Sequence, residues 1–244
     1  MGRPVRRLLA GALAAGLALG LPACARRPTP DGERILWAWE RPEDFSFLVP
    51  GQARVALLVA TVTLAGEKLE VYGRRQPLKL PPGTIPIPVV RIETRQPSLG
   101  ETQQRRLAEY LASRADRRAN PALQIDFDAK ESERPFYREL LHSLATRLGP
   151  EAKISITALA SWCLNDRWLA GAPIAEAVPM LFDMGREGDA VRGRLDGGED
   201  FAEPHCRHSY GLATYQPWPR RQMERAIYVF ADRPWTEATL RSLP

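Results

Sequence analysis

The sequence predicts an α/β fold, a small (β/α)8 barrel of the triosephosphate-isomerase (TIM) type with an irregular first half. Three observations lead to this prediction. Eight short apolar runs recur along the chain, helical patterns separate most of the later runs, and 244 residues suit one domain near the lower size limit of such barrels. An incomplete barrel or an open sheet is the alternative.

The first half of the chain offers strands but little room for helices. Three strands are predicted from the runs ILWAWE, VALLVATVTL and IPVVRIET, at residues 35–40, 55–64 and 87–94. Between the second and third strands, the segment KLEVYGRRQPLKL at residues 68–80 indicates a β-hairpin rather than a helix.

The second half alternates between strands and helices. Its five predicted strands lie at residues 123–129, 153–162, 177–184, 208–213 and 226–231. Predicted helices lie at residues 102–118, 132–148, 165–169, 187–195 and 236–243. The helix at 132–148 is the clearest, because its apolar residues recur at helical spacing and would cover one side of a sheet.

The N-terminus resembles a bacterial lipoprotein signal. Three arginines within the first seven residues precede an apolar run at 8–21, which is too short to predict a membrane span. The run ends in Leu-Pro-Ala-Cys, and Cys24 stands where such signals carry the acylated cysteine. An ordinary export signal, with Cys24 as a bystander, is the alternative.

This reading divides the chain into three parts. Residues 1–23 are the predicted signal peptide, 24–33 a tether, and 34–244 a single barrel domain. The protein is expected to be exported and lipid-anchored at the periplasmic face of the envelope. Ala25 favours the outer over the inner membrane, by resemblance to known lipoprotein signals.

Charge and motifs exclude several classes of partner. Without the three arginines of the signal, which holds no acidic residue, 31 basic and 29 acidic side chains remain, a net charge of +2. Nucleic acid is therefore not an expected partner. No cofactor is expected, since GxxxxGK[ST], GxGxxG, HExxH and GxSxG motifs are absent from the sequence. The sequence does not indicate an oligomeric state.

The remaining cysteines suggest a disulfide rather than a metal site. If Cys24 carries lipid, Cys163 and Cys206 are left as a pair that an oxidising periplasm would join, with two free thiols as the alternative. The segment His-Cys-Arg-His at 205–208 resembles a ligand cluster only weakly, and no metal is expected.

The segment LQIDFDA at 123–129 carries the main candidate site. Alternation along a strand places Gln124, Asp126 and Asp128 on one face and the apolar residues on the other. In a barrel the polar face points into the lumen, near the C-terminal strand ends where active sites are built. Asp126 and Asp128 are thus candidate catalytic residues, unless they pair with arginines or cap the next helix.

Neighbouring strand ends supply further candidates. Arg91 and Glu93 would point inward beside Asp126, so that Arg91 could keep that aspartate ionised and Glu93 could be a second carboxylate of a glycosidase pair. A structural salt-bridge network is the alternative. Candidate substrate-binding residues at other strand ends are the two tryptophans, suited to stacking on sugar rings, and two acids: Trp39, Trp162, Glu40 and Asp183.

Several segments in a fixed order resemble the bacterial domain-of-unknown-function 3142 family. They are ILWAWERPEDF, VVRIET, LQIDFDAKESERPFYRELL, SITALASWC and EAVPMLFDMG. The resemblance spans most of residues 35–214 and implies an exported, glycosidase-like barrel without an assigned reaction.

A more distant likeness is to chitinase-type barrels, whose fourth strand carries D-x-x-D-x-D-x-E. Asp126 and Asp128 match its last two aspartates, whereas Leu123 and Lys130 stand at the first aspartate and the glutamate, with Glu131 one place late. Only the barrel position of the two aspartates is carried over. The sequence therefore indicates an envelope protein that binds a carbohydrate and has candidate residues for hydrolysing it. A non-catalytic binding or scaffold lipoprotein is the alternative.

Overall fold

The computed structural model describes residues 1–2, 32–219 and 225–244 and shows eleven strands and five α-helices in those ranges. The strands are β1 (Arg34–Ala38), β2 (Glu43–Asp44), β3 (Arg54–Gly66), β4 (Lys68–Gly73), β5 (Leu78–Lys79), β6 (Ile87–Pro97), β7 (Leu123–Asp126), β8 (Ile154–Leu159), β9 (Glu176–Met180), β10 (Ser209–Ala213) and β11 (Ala226–Phe230). The helices are α1 (Glu101–Arg114), α2 (Arg134–Leu148), α3 (Ala160–Leu164), α4 (Gly188–Asp196) and α5 (Glu237–Arg241).

Eight parallel strands close into a barrel, which confirms the predicted fold class. The order around the barrel is β1, β11, β10, β9, β8, β7, β6 and β3, and pairing of β1 with β3 closes it. Each of these neighbouring pairs is parallel, from β1–β11 round to β3–β6. Closure leaves no free edge among the eight strands.

The helical coat covers the second half of the barrel and is missing from the first half. Helices α1 and α2 flank β7 in the chain and pack against each other. The buried stripe of α2 lies against the outer face of the barrel, together with Leu123, Ile125 and Phe127 of the β7 segment. In the first half, β4 runs antiparallel to the end of β3, and β2 pairs with β5. The irregular first half is thereby confirmed.

Two local predictions are wrong. The hairpin predicted within 68–80 is formed instead by β3 and β4, with its turn at Gly66, whose φ of 52° suits glycine. The short helix predicted at 165–169 lies earlier, as α3, and it takes over the end of the strand predicted at 153–162. A short apolar run does not distinguish a buried strand from a buried helix by periodicity alone.

The lower lumen is filled by side chains that satisfy one another. Trp37 Nε1 donates to Gln124 Oε1 (2.9 Å), and Gln124 Nε2 donates to Ser155 Oγ (3.0 Å). Nearer the N-terminal end, the Tyr228 hydroxyl donates to Glu176 Oε1 (2.6 Å). Buried polar groups need such partners, and together they make the lumen a packed core rather than a channel.

The predicted lipobox cysteine, Cys24, and almost all of the predicted signal and tether lie outside the described residues. The helices in the described ranges are each too short or too polar to span a bilayer.

The disulfide between Cys163 and Cys206 is present and confirms the predicted pairing. It joins α3 to a 3-10 helix at Pro204–Arg207, across a Cα–Cα distance of 5.8 Å. Both cysteines are fully buried, in the layer outside the barrel.

Replacing both cysteines by alanine is expected to lower the free energy of unfolding by up to about 4 kcal/mol, the chain-entropy value for a loop of this length. The bridge closes a sequence separation of 43 residues, so the unfolded chain gains freedom when it is removed. Urea denaturation of the two proteins measures the difference. An unchanged transition midpoint would contradict the prediction.

Candidate functional site

A cavity of about 410 Å³ opens at the C-terminal ends of the barrel strands, and we call it the mouth cavity. Strands β1, β6, β7, β8, β9 and β11, or the residues just after them, contribute to its walls. It is lined by Trp39, Arg91, Asp126, Asp128, Leu159, Ala160, Ser161, Met180, Phe182, Asp183, Met184, Glu187, Val191 and Phe230. This is the end of the barrel at which (β/α)8 enzymes build their active sites.

Asp126 is fixed at the end of β7 by two neighbouring strands. Parallel register places it beside Arg91 of β6, whose Nη1 donates to Asp126 Oδ2 at 2.7 Å. From the other side, Thr157 Oγ1 of β8 donates to Asp126 Oδ1 at 2.8 Å. The Asp126 side chain is 3% exposed. A carboxylate held so firmly by a cation and a hydroxyl has a defined orientation toward the cavity.

Asp128 lies two residues later in the loop after β7 and has a different environment. It is exposed at the cavity wall, and within the described chain no side chain donates a hydrogen bond to its carboxylate. Partial desolvation, and then the charge of Asp126, raise the pKa of Asp128 above its ordinary value, while Arg91 acts in the opposite direction. The two aspartates thus lie in one cavity with unequal environments.

An aromatic wall faces these acids across the barrel mouth. Trp39 follows β1 and Phe230 ends β11, with ring centroids 6.2 Å apart. Phe182, after β9, lies 4.8 Å from Phe230. Since β11 and β1 lie on the far side of the barrel from β7, Trp39 and Phe230 face Asp126 and Asp128 across the cavity. Such a cavity suits a ligand with an apolar face and polar edges, as a pyranose ring has.

Asp183 also lines the mouth cavity, in the loop after β9, and is held by the loop that follows β10. Its φ of 51° is unusual for a residue with a side chain. The Tyr215 hydroxyl donates to Asp183 Oδ2 at 2.9 Å, Gln216 Nε2 donates to Oδ1, and the Asp183 backbone N–H donates to Gln216 Oε1 at 3.1 Å. Desolvation and the bond to Asp183 raise the pKa of Tyr215 to about 12, so Tyr215 is a neutral donor at pH 7.

Three predicted site residues lie outside the cavity. Trp162 belongs to α3, is 1% exposed and packs edge-on against Trp168 at 4.9 Å, so it cannot stack on a sugar. Glu40 turns away and accepts the backbone N–H groups of Arg75 and Gln76. Glu93 is exposed and accepts from Arg91 Nε at 3.2 Å. The prediction that Trp162 lines the mouth cavity is therefore wrong. The strand ends at Leu159, and α3 begins at Ala160 and carries Trp162 into the layer outside the barrel.

Other residues of the site were not predicted, although two had visible signals. Phe230 shares the inward face of β11 with Tyr228, two residues earlier. Thr157 likewise follows Ser155 at strand spacing on β8, so a polar inward face could have been found there. Glu187 enters the cavity from the end of a 3-10 helix, Gly185–Glu187, directly before α4. It is the first residue of the helix predicted at 187–195, and that helical pattern does not mark it as a site residue.

A larger cavity, of about 570 Å³, lies at the opposite end of the barrel, formed by loops that precede β3, β6 and β7. Among the described residues that line it, Glu33 is the single carboxylate, and it pairs with Arg54 at 3.2 Å. Cavity volume alone therefore does not identify the candidate active site. The two neighbouring acids, Asp126 and Asp128, favour the mouth cavity.

The described residues do not group three or more His, Cys, Asp or Glu side chains into a metal-binding arrangement. In the segment His205–His208, the Cys206 sulfur is bonded to Cys163 in the disulfide, and His205 Nδ1 makes a 2.7 Å hydrogen bond with Glu203 Oε1. These contacts account for the segment structurally.

Comparison with known proteins gives one match. No curated protein and no solved structure matches the chain. Residues 83–172 match the family model described as "Domain of unknown function (DUF3142)". This segment contains Arg91, Asp126 and Asp128, and the match confirms the family resemblance that the order of sequence motifs indicates.

Proposed function

We propose that the mouth cavity binds a carbohydrate and that the chain is a glycoside hydrolase. The observation that carries the proposal is the unequal pair of aspartates. Asp126 accepts from Arg91 and Thr157, while Asp128 accepts from no side chain in the described part of the protein and has a raised pKa. Glycosidases use two carboxyl groups in different protonation states, and unequal environments are the means of achieving this.

The roles follow from the two environments. Asp128, when protonated, gives its proton to the glycosidic oxygen as the bond to the anomeric carbon breaks. Asp126, held beside the Arg91 guanidinium, is the charged carboxylate that stabilises or attacks the anomeric carbon. Water then supplies a hydroxyl group to the sugar and returns a proton to Asp128, so the enzyme is unchanged.

The alternative is a non-catalytic carbohydrate-binding or scaffold protein. Arg91 favours it, because one guanidinium contacts both Asp126 and Glu93, as in a structural ion-pair network. The position of Asp128 favours the enzyme. A structural ion-pair network is not stabilised by a carboxyl group that lines a cavity and accepts from no described side chain.

The predicted N-terminal lipoprotein signal supports a location for this activity at the cell envelope. With Cys24 acylated, the barrel is held at the periplasmic face of the envelope, on the outer membrane, and its carbohydrate is an envelope glycan. Radiolabelled palmitate is expected to enter the wild-type protein and not the Cys24→Ser variant. Equal labelling of both would contradict the lipid anchor.

Screening the purified full chain in detergent against a panel of envelope polysaccharides tests the reaction. We expect new reducing ends from one class of glycan, and we expect Asp126→Asn to abolish their release while binding of that glycan persists. Full activity of Asp126→Asn would overturn the assignment. Binding without cleavage by the wild type would favour the non-catalytic alternative.

A further inference from the structure

The mouth cavity carries an excess of acidic groups. In the part of its wall that the structure describes, four acidic side chains line it and Arg91 is the one cation. That cation is already engaged by Asp126 at 2.7 Å and Glu93 at 3.2 Å. A ligand entering the cavity therefore meets a negative potential, which repels uronate or phosphate groups and attracts a cation.

The four acids form two separate groups. Asp126 and Asp128 follow β7, whereas Asp183 and Glu187 follow β9. The end of β8 lies between the two groups, and there the cavity wall is apolar, at Leu159 and Ala160. Bond cleavage uses the β7 group and leaves the β9 group without a chemical task.

Asp183 is oriented as a recognition group. Tyr215 and Gln216 each donate to one of its oxygens, which uses two of about four acceptor positions of a carboxylate and leaves the others for a ligand. Its left-handed backbone is held by the bond from its N–H to Gln216. A residue kept in a sparsely populated conformation by its surroundings is often functional.

The aromatic wall continues directly into this acidic group. Phe182 precedes Asp183 in the chain, and its ring lies 4.8 Å from Phe230 and 6.5 Å from Tyr215. A pyranose ring lying against the aromatic wall brings a substituent at its edge toward Asp183. An ammonium substituent there donates a charge-assisted hydrogen bond to the Asp183 carboxylate. It also lies near aromatic rings, whose faces attract a cation.

We propose that the cavity takes sugars with a free, protonated amino group, and that Asp183 is the carboxylate that receives the ammonium. The inference rests on the proposed carbohydrate site and names its substrate class. Hydrogen bonds to charged groups lead us to expect a preference of about 10- to 100-fold over the neutral N-acetylated sugar.

Calorimetric titration of the full chain in detergent, with tetramers of β-1,4-linked glucosamine, N-acetylglucosamine and glucose, tests the proposal. The wild type is expected to bind the glucosamine tetramer most tightly, with a preference that shrinks as salt is added. Asp183→Asn should reduce the preference to a few-fold and keep the affinity for the glucose tetramer. Asparagine tolerates the left-handed backbone, so the loop should be preserved.

The matched control is Asp189→Asn, which removes an acid of α4 that is 97% exposed and does not line the cavity. It should keep the full preference. Equal wild-type affinity for all three tetramers would overturn the inference and leave the proposed function standing. Failure of the wild type to bind any glycan, in this set or in the envelope panel, would overturn both. Should Asp183→Asn unfold, the wild-type ranking and its salt dependence decide.

Discussion

Replacing Asp128 by asparagine is expected to lower the rate of glycoside cleavage by about 10²- to 10⁴-fold, the usual contribution of a general acid. Asparagine has nearly the same shape but no acidic proton to give to the leaving oxygen. Because Asp128 accepts no side-chain hydrogen bond within the described structure, the variant should fold normally and bind the glycan with little change. Steady-state kinetics on the glycan that the panel identifies, together with the melting temperature, measures both effects.

The pH dependence of the wild type gives the same assignment a second test. Desolvation and the charge of Asp126 raise the pKa of Asp128 above 3.8, and the acid must be protonated to act. The rate should therefore fall as pH rises through this raised pKa, and the pH–rate profile of Asp128→Asn should lack that fall.

The pH dependence of stability follows from the same pKa shift. The folded protein binds this proton more tightly than the unfolded chain, so the free energy of unfolding falls as pH rises from the unfolded to the folded pKa of Asp128. Asp128→Asn removes that fall and should be at least as stable as the wild type at pH 7.

Glu93→Gln provides the discriminating comparison. Glu93 is the other carboxylate that strand alternation brings near Arg91, but it lies outside the mouth cavity with its side chain 51% exposed. The variant should keep the wild-type rate within about threefold, as surface changes away from a site usually do. If instead Glu93→Gln loses activity and Asp128→Asn keeps it, the acid has been assigned to the wrong residue.

The central part of the site could be predicted because it depends on strand alternation alone. In LQIDFDA, a period of two separates the outward Ile125 and Phe127 from the inward Gln124 and Asp126. The same rule points Arg91 inward from the neighbouring strand, and parallel register then sets it opposite Asp126. No knowledge of loops was needed, since both side chains lie on regular strands of a closed barrel.

The rest of the site depends on where strands end and how loops fold, which the sequence does not state. Trp162 follows an apolar run that reads equally well as strand or helix, and the chain enters α3 two residues before it. Asp183 was predicted, but its partners Tyr215 and Gln216 lie 32 and 33 residues further along, in the loop after β10. Such contacts arise from tertiary packing and leave no local pattern.

Removing the Asp126 side chain should cost far more stability than removing the Glu93 side chain, although the same arginine contacts both. Asp126→Ala leaves Arg91, whose side chain is 30% exposed, without its buried partner and leaves Thr157 without its acceptor. Breaking a buried pair costs about 3–5 kcal/mol, and the lower part of that range applies because Arg91 keeps Glu93. Glu93→Ala breaks an exposed pair and should cost about 0–1 kcal/mol. Urea denaturation with fitted m-values measures both.

Similar small losses for the two variants would contradict a formed Arg91–Asp126 pair. The expected loss in the free energy of unfolding also determines how the activity of the Asp126 variants is interpreted. An inactive Asp126→Ala protein could simply be unfolded, because its stability loss is a large fraction of what a domain of this size possesses. Asp126→Asn keeps one oxygen, which can accept from Arg91, and its amide nitrogen can donate to the Thr157 hydroxyl, so it removes the charge with less disturbance than Asp126→Ala. If Asp126→Asn is folded, binds glycan and is inactive, Asp126 takes part in the chemistry; if it is folded and fully active, the pair with Arg91 is structural.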